Sequence, residues 1–195
     1  LILGPLWSFM ETNLQGKAVG MIQDSLVRGH KKHIGFEKNR PYFNSGVLLI
    51  DMKSWRAQSC TERIVEHVKS QKANYVNPDQ DLLNVVLKED IYMLSPRYNF
   101  QPIHSAFSTK DYFRIYGRAG YYEREEIEQA KERPAILHFF RFLGEFPWNK
   151  ENVHPYRTEY EKYKQESPWN DEVDLELPKS IVFSIEKWIY LHCSS

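Results

Sequence analysis

The chain has 195 residues, 42% hydrophobic and 27% charged, and its 26 Lys and Arg balance 26 Asp and Glu. That length suits one domain with a substantial core, and a formal charge of zero offers no basic field to hold a phosphate polymer, which excludes general nucleic-acid binding. The 2 cysteines, Cys60 and Cys193, make neither a disulfide framework nor a metal motif and fit a reducing compartment, and no apolar run approaches the ~20 residues of a membrane-spanning helix.

Leu1-Ile2-Leu3 ahead of Gly4-Pro5 reads as the tail of a strand entering a turn. Because the chain opens inside that apolar run, it is expected to be cut there. Leu1–Phe9 carries neither a charged start nor a cleavage pattern, so no signal peptide is expected in it. Ala18–Ile22 is a short strand ending at Gln23-Asp24. Residues 29–40 are polar, and His30, Lys31, Lys32 and His33 could hold a phosphate or form a solvated loop, the loop being the commoner outcome.

The stretch Phe43-Asn44-Ser45-Gly46 then runs into Val47-Leu48-Leu49-Ile50. The branched apolar run predicts a strand buried on both faces, with the polar triplet as a turn at its end. Asp51 should open a short helix carrying Trp55. Ser59 and Glu62 have capping-box spacing and predict a helix from Ser59 to about Lys72. Asn77-Pro78-Asp79-Gln80 predicts a helix start with Asn77 as N-cap, Pro78 at the first position and Gln80 at the third. Ile91–Leu94 reads as a strand, Pro96–Phe100 as a structured loop, and Glu123–Arg133 as a charged helix stopped by Pro134. Ala135–Phe139 reads as a last inner strand. Tyr156, Tyr160 and Tyr163 repeat at helical spacing, Asp171–Glu176 as an acidic, solvated linker, and Ile181–Leu191 as a short helix that docks on the domain or lies on a membrane, docking being favoured. Strands alternating with helices indicate an α/β domain.

Three clusters could carry chemistry. Asn44, Ser45 and Gly46 present the amide and hydroxyl groups that sugar recognition requires, or serve as an ordinary turn. Asp79-Gln80-Asp81 either complements the helix dipole or holds sugar hydroxyls and stabilises a developing positive charge. His138 is either a satisfied core residue or, beside carboxylates, a ligand for a borderline divalent ion.

In this order the pieces resemble the retaining family-8 glycosyltransferases, most closely the bacterial members that build surface polysaccharide or lipopolysaccharide. The motifs that carry the likeness are Phe43–Ile50, Asn77-Pro78-Asp79-Gln80-Asp81-Leu82-Leu83-Asn84, and Ile136-Leu137-His138-Phe139 ahead of Gly144 and Pro147-Trp148. Glu159-Tyr160, Tyr163 and Ser167-Pro168-Trp169 extend it towards the tail. The resemblance implies the C-terminal part of a GT-A-like, nucleotide-diphospho-sugar transferase domain, a mixed sheet flanked by helices, over residues 1–150, with a helical C-terminal extension over 151–195. It implies hexose transfer with retention from a UDP-sugar, UDP-glucose or UDP-galactose, to a saccharide acceptor, with Mn2+ or Mg2+ as cofactor. It also implies a cytoplasmic enzyme, peripheral at the inner face of the membrane if residues 181–191 lie there.

By the same resemblance Asn44, Ser45 and Gly46 contact the donor sugar together with Asp79 and Gln80, of which the last two are the catalytic candidates. His138 is a metal ligand and Gly144 belongs to the loop over the diphosphate. Two departures stand out. The family's Asp-x-Asp should end just before Leu1, so this polypeptide alone is expected to bind metal and donor poorly. In addition, Phe146 stands before Pro147 where the family has Lys or Arg, leaving Arg141 or Lys150 to neutralise the diphosphate. A non-catalytic carbohydrate-binding remnant is the rival reading.

Overall fold

The computed structural model describes residues 1–25, 30–37, 39–70, 75–116, 122–150, 152–176 and 180–193. In chain order its elements are α1 (Trp7–Met10), β1 (Val19–Gln23), a 3-10 turn (His30–Ile34), β2 (Phe43–Ile50), α2 (Met52–Ala57), α3 (Cys60–Ser70), α4 (Pro78–Val86) and β3 (Ile91–Met93). A second 3-10 turn (Pro96–Asn99) follows, then α5 (Pro102–Ala106), α6 (Thr109–Tyr116), α7 (Arg124–Glu132), α8 (Arg157–Gln165) and α9 (Ile181–Cys193). Parts of the expected basic loop, the far end of the helix drawn to Lys72, and Lys179 lie outside the described residues.

The sheet has the order β2-β1-β3, with β2 antiparallel and β3 parallel to β1. β1 is buried along its whole length because its alternate side chains face two different cores. Val19 and Met21 join Phe43, Cys60 and Leu87, while Ile22 joins Leu94, Tyr98, Ile103 and Ile127. Each such aliphatic side chain withdrawn from water contributes roughly 1.5–3 kcal/mol, so β1 is the strand on which the two halves of the core are hung.

Several expectations are corrected. The apolar run Val47–Ile50 is not a strand buried on both faces: β2 flanks β1 and is half-buried past Asn44. The Asn44-Ser45-Gly46 triplet is not a turn before the strand but part of it. Polar residues are tolerated there because the register breaks: Gly20 faces Leu49 and Ile22 faces Asn44, so residues 45–48 bulge opposite Met21 alone. Ala135–Phe139 forms no strand of the sheet; Ile136 bridges to Ile2 and Leu137 to Phe100 as isolated pairs. Ser59 stands just before α3 and its carbonyl accepts the Arg63 N–H at 3.0 Å, but its φ of +50° lies outside the extended range typical of a capping box. The acidic segment 171–176 is largely exposed, as expected, but is tied down: Lys164 donates to Asp174 at 2.7 Å, and Leu175 bridges to Asn149. Asp51 does open α2, accepting from the backbone N–H groups of Lys53 and Ser54.

Behind the C-terminal end of β1 lies a buried polar pin. His104 is fully buried on α5 and its Nδ1 accepts the Gln101 backbone N–H at 3.4 Å, so Nε2 carries the proton and donates to Ser25 Oγ at 3.1 Å. The Gln101 side chain meanwhile accepts from Ser25 N and donates to the Gln23 carbonyl. A histidine that already donates to a serine cannot take that serine's proton, so this pair is architecture and not a nucleophile. Burial pushes the His104 pKa from 6.5 down to about 3. A depressed imidazole contributes full stability above its unfolded value and loses it as pH falls, because only the unfolded chain binds the proton. Between pH 6.5 and about 4.5 that loss amounts to about 2–3 kcal/mol. Urea unfolding at the two pH values should show a drop that is smaller by that amount in His104→Gln.

Candidate functional site

Five separate segments deliver polar side chains to the rim where β1 ends. β1 runs out at Gln23 and presents Asp24. The bulged part of β2 supplies Asn44, Ser45 and Gly46, α4 supplies Asp79 and Gln80 from its first turn, the second 3-10 turn ends on Asn99, and the segment after the Leu137 bridge supplies His138, whose backbone N–H donates to the Phe100 carbonyl at 3.1 Å.

These groups form one continuous chain of hydrogen bonds. Asn44 Nδ2 donates to Asp24 Oδ2 at 3.2 Å and to Gln80 Oε1 at 3.0 Å. Gln80 Nε2 donates to the same Asp24 oxygen at 3.0 Å, and Gln80 Oε1 also accepts the Ser45 backbone N–H at 3.1 Å. On the other side, Asn44 Oδ1 accepts from Gly46 N at 2.9 Å and from Asn99 Nδ2 at 2.7 Å. Asn99 Oδ1 then lies 2.8 Å from His138 Nδ1. Ser45 Oγ donates to Asp79 Oδ2 at 2.6 Å, in the exposed part of the rim. Residues 44–46, 79–80 and 138, far apart in sequence, are therefore neighbours, and Asp24 and Asn99, which sequence reasoning passed over as a strand end and a loop, join them.

The local sequence explains why Gln80 is free to take part. Asn77 makes no side-chain cap, contrary to expectation, and Gln80 does not close a capping box. Asp81, one residue further on, takes the N-cap N–H at 3.0 Å and also accepts the Tyr42 hydroxyl at 2.5 Å. Asp81 is fully buried and turned into the core. Burial and then Asp81 itself raise the Tyr42 pKa, so the hydroxyl keeps its proton. With the helix start satisfied by Asp81, Gln80 reaches across to β2.

His138 sits against Gly46. A Cβ at residue 46 would overlap the imidazole Cε1 and come within 2.8 Å of Nδ1, so only glycine admits the ring. Burial lowers the His138 pKa, opposed by the Asp24 carboxylate. Among the described residues no three His, Cys, Asp or Glu side chains gather to hold a metal ion. One imidazole does not by itself fit a hard, oxygen-preferring ion such as Mn2+ or Mg2+.

The remaining sequence candidates lie on the loop after His138 and do not join the hydrogen-bonded chain. Gly144 is buried at φ +81°, where a Cβ would come within 2.5 Å of the Phe183 ring of α9. Lys187 of α9 pairs with Glu145 at 3.1 Å, and Tyr190 packs edge-on to Phe142 at 5.2 Å. Phe146 stacks flat on Trp148 at 4.6 Å, and the Arg141 guanidinium lies over the Phe146 ring at 5.3 Å. Lys150 is engaged with Glu176 at 3.1 Å.

A model of glycosyl transferase family 8 matches residues 1–152. General stress protein A of Bacillus subtilis is 33% identical over 172 residues, covering 87% of this chain and 57% of that protein. The lipopolysaccharide 1,2-glucosyltransferase of Escherichia coli K12 is 27% identical over 159 residues, covering 82% of this chain and 40% of that protein. The chain thus spans roughly half the length of these relatives. Among solved structures, the galactosyltransferase LgtC in complex with donor and acceptor sugar analogues superposes with TM-score 0.59 at 24% identity, over 82% of this chain and 56% of LgtC. The bifunctional glycosyltransferase WbbM gives 0.65 at 17% identity, over 88% of this chain and 32% of WbbM. At those identities the likeness establishes the GT-A-like fold, a mixed sheet flanked by helices.

Proposed function

The chain belongs to glycosyl transferase family 8, and we propose that it is the part of a retaining hexosyltransferase that holds the donor sugar. The observation that carries this is the unbroken hydrogen-bonded chain from Asp24 through Gln80, Asn44 and Asn99 to His138. A rim of rigidly held amides beside carboxylates is what a polyhydroxylated, charge-developing substrate requires. The donor is a nucleotide diphospho-hexose, UDP-glucose or UDP-galactose, and the acceptor a saccharide of surface polysaccharide or lipopolysaccharide. The E. coli glucosyltransferase supports the second choice by its name. Residues 1–150 form the transferase part in this reading and 151–195 a helical extension packed on it.

Asn44, Ser45, Gly46 and Asp79 bind donor hydroxyls, and Gln80 lies beside the anomeric carbon. A neutral amide is a feeble nucleophile, and Asp81, buried under Tyr42, faces away. Transfer is therefore by attack on the face the leaving group vacates. The bond from the anomeric carbon to the diphosphate oxygen breaks, the acceptor oxygen bonds to that carbon, and a departing phosphate oxygen takes the acceptor's proton. Arg141, over the Phe146 ring, is the better-placed cation for the diphosphate near Gly144, since Lys150 is paired with Glu176. Mn2+ or Mg2+ enters the proposal only through His138 as one donor, and no step is routed through it. The site of action is the cytoplasm, and no described helix is long and apolar enough to cross a membrane. Any contact with the inner face would fall to the exposed side of α9, Ile181, Ile185 and Trp188.

Phe146 in the cation's place favours the rival, a carbohydrate-binding remnant without turnover. The test is release of UDP from UDP-glucose and UDP-galactose in the presence of Mn2+, with and without saccharide acceptors. Gln80→Ala should lower turnover by about 100-fold or more, and His138→Ala should weaken its metal dependence. Equal rates in wild type and His138→Ala would remove His138 from the metal site. Sugar binding with no turnover would establish the rival, and a glycosyl adduct trapped on Gln80 or Asp81 would overturn same-face attack.

A further inference from the structure

We propose that Asn99 and Asn44 are positioning residues that hold His138 in the tautomer with its proton on Nδ1, leaving Nε2 as a bare lone pair. The amide orientations are not free choices. A backbone N–H can only donate, so the contact from Gly46 N fixes Asn44 with Oδ1 towards Gly46 and Asn99, and Nδ2 towards Asp24 and Gln80. The same logic applied to Ser45 N fixes Gln80 with Oε1 towards β2 and Nε2 towards the Asp24 carboxylate, which agrees with the first assignment.

Asn99 has Asn44 Oδ1 on one side, an acceptor, so it must turn Nδ2 that way at 2.7 Å. Its Oδ1 is then the atom facing His138 at 2.8 Å, and a carbonyl oxygen can be satisfied there only by an Nδ1–H donor. Flipping any one amide sets two acceptors or two donors against each other inside a buried rim. Asn99 has no exposed surface and Asn44 is 7% exposed, so water cannot repair the mismatch. Gly46 completes the device by letting the ring come close to the strand, because any Cβ there would displace it. Nε2 makes no hydrogen bond among the described residues, so the lone pair that the relay creates is available to an incoming ligand. The assignment rests on these contacts and not on glycosyl transfer, so either can fail without the other.

Long-range 15N–1H correlation of the histidine rings, on the 15N-labelled protein at pH about 8, where free imidazole is already neutral, reads the tautomer directly. His138→Gln identifies the resonances. Wild type should show a protonated Nδ1 and a bare Nε2. Asn44→Leu acts two hydrogen bonds away from the ring. It frees Asn99 to rotate, and the population with Nε2 protonated should rise by about tenfold or more. Asn99→Ala should do the same. A wild-type ring protonated on Nε2, a measurement that requires no variant to fold, would overturn the proposal. So would a folded Asn44→Leu protein with the wild-type tautomer ratio, since a purely local contact at Asn99 would be unmoved by that change.

Discussion

Replacing Asp81 by alanine is expected to destabilise the fold by about 2–5 kcal/mol. The carboxylate is fully buried and accepts both the Tyr42 hydroxyl and the Asn77 backbone N–H. Truncation removes both acceptors at once, costing the Tyr42 hydroxyl its buried 2.5 Å bond and the Asn77 N–H its part-buried one at the helix start, at about 1–3 kcal/mol each. Against a total stability of roughly 5–15 kcal/mol, that is the difference between a folded and a marginal protein. Asp81→Asn keeps size and one carbonyl acceptor and should cost about 1–2 kcal/mol, as should Tyr42→Phe. Denaturant unfolding of the three variants ranks them. An alanine variant as stable as wild type would show that Asp81 does not anchor α4 to Tyr42.

The second large effect is expected at Gly46. Its φ is not positive, so the backbone alone would accept alanine. The added methyl would instead collide with the His138 ring and press on Asn44 Oδ1, which lies 2.9 Å from where the Cβ would be. Overpacking of this kind costs about 1–3 kcal/mol, and displacing the ring and amide by an ångström should lower nucleotide-sugar turnover by about 100-fold. His138→Ala introduced into Gly46→Ala removes the ring atoms, the closest of the colliding groups. Stability should then return while turnover does not, because the two substitutions share one contact and cannot be additive. If the double variant is as unstable as the sum of its parts, Gly46 serves something other than the ring.

Elements whose signal is local were legible. Asp51 as a cap, Pro78 as the first residue of α4 and the charged helix ended at Pro134 follow from short-range chemistry, and the structure has them. The meeting of residues 44, 80 and 138 was legible only through the family resemblance, since no periodicity relates positions so distant. What escaped notice was set by tertiary pairing. The bulge that lets Asn44 lie within a strand depends on what β1 offers opposite, and Ala135–Phe139, apolar enough for a strand, finds only single-residue partners at Ile2 and Phe100. Asn99 had a detectable trace, an amide closing the Pro-initiated stretch Pro96-Arg97-Tyr98-Asn99. Asp24 had none beyond standing where an apolar strand stops.

The loop carrying Leu143 and Gly144 turns through two successive left-handed residues, at φ +47° and +81°, and its outer side is lined by Phe183, Lys187 and Tyr190 from some forty positions downstream. The shape of that turn is thus written partly in the tail. Mutational tolerance at 143–145 and at 183–190 is therefore a shared property, and a larger residue on one side can be accommodated only by a smaller one on the other. Anyone grafting residues 1–150 onto another scaffold inherits the tail with them.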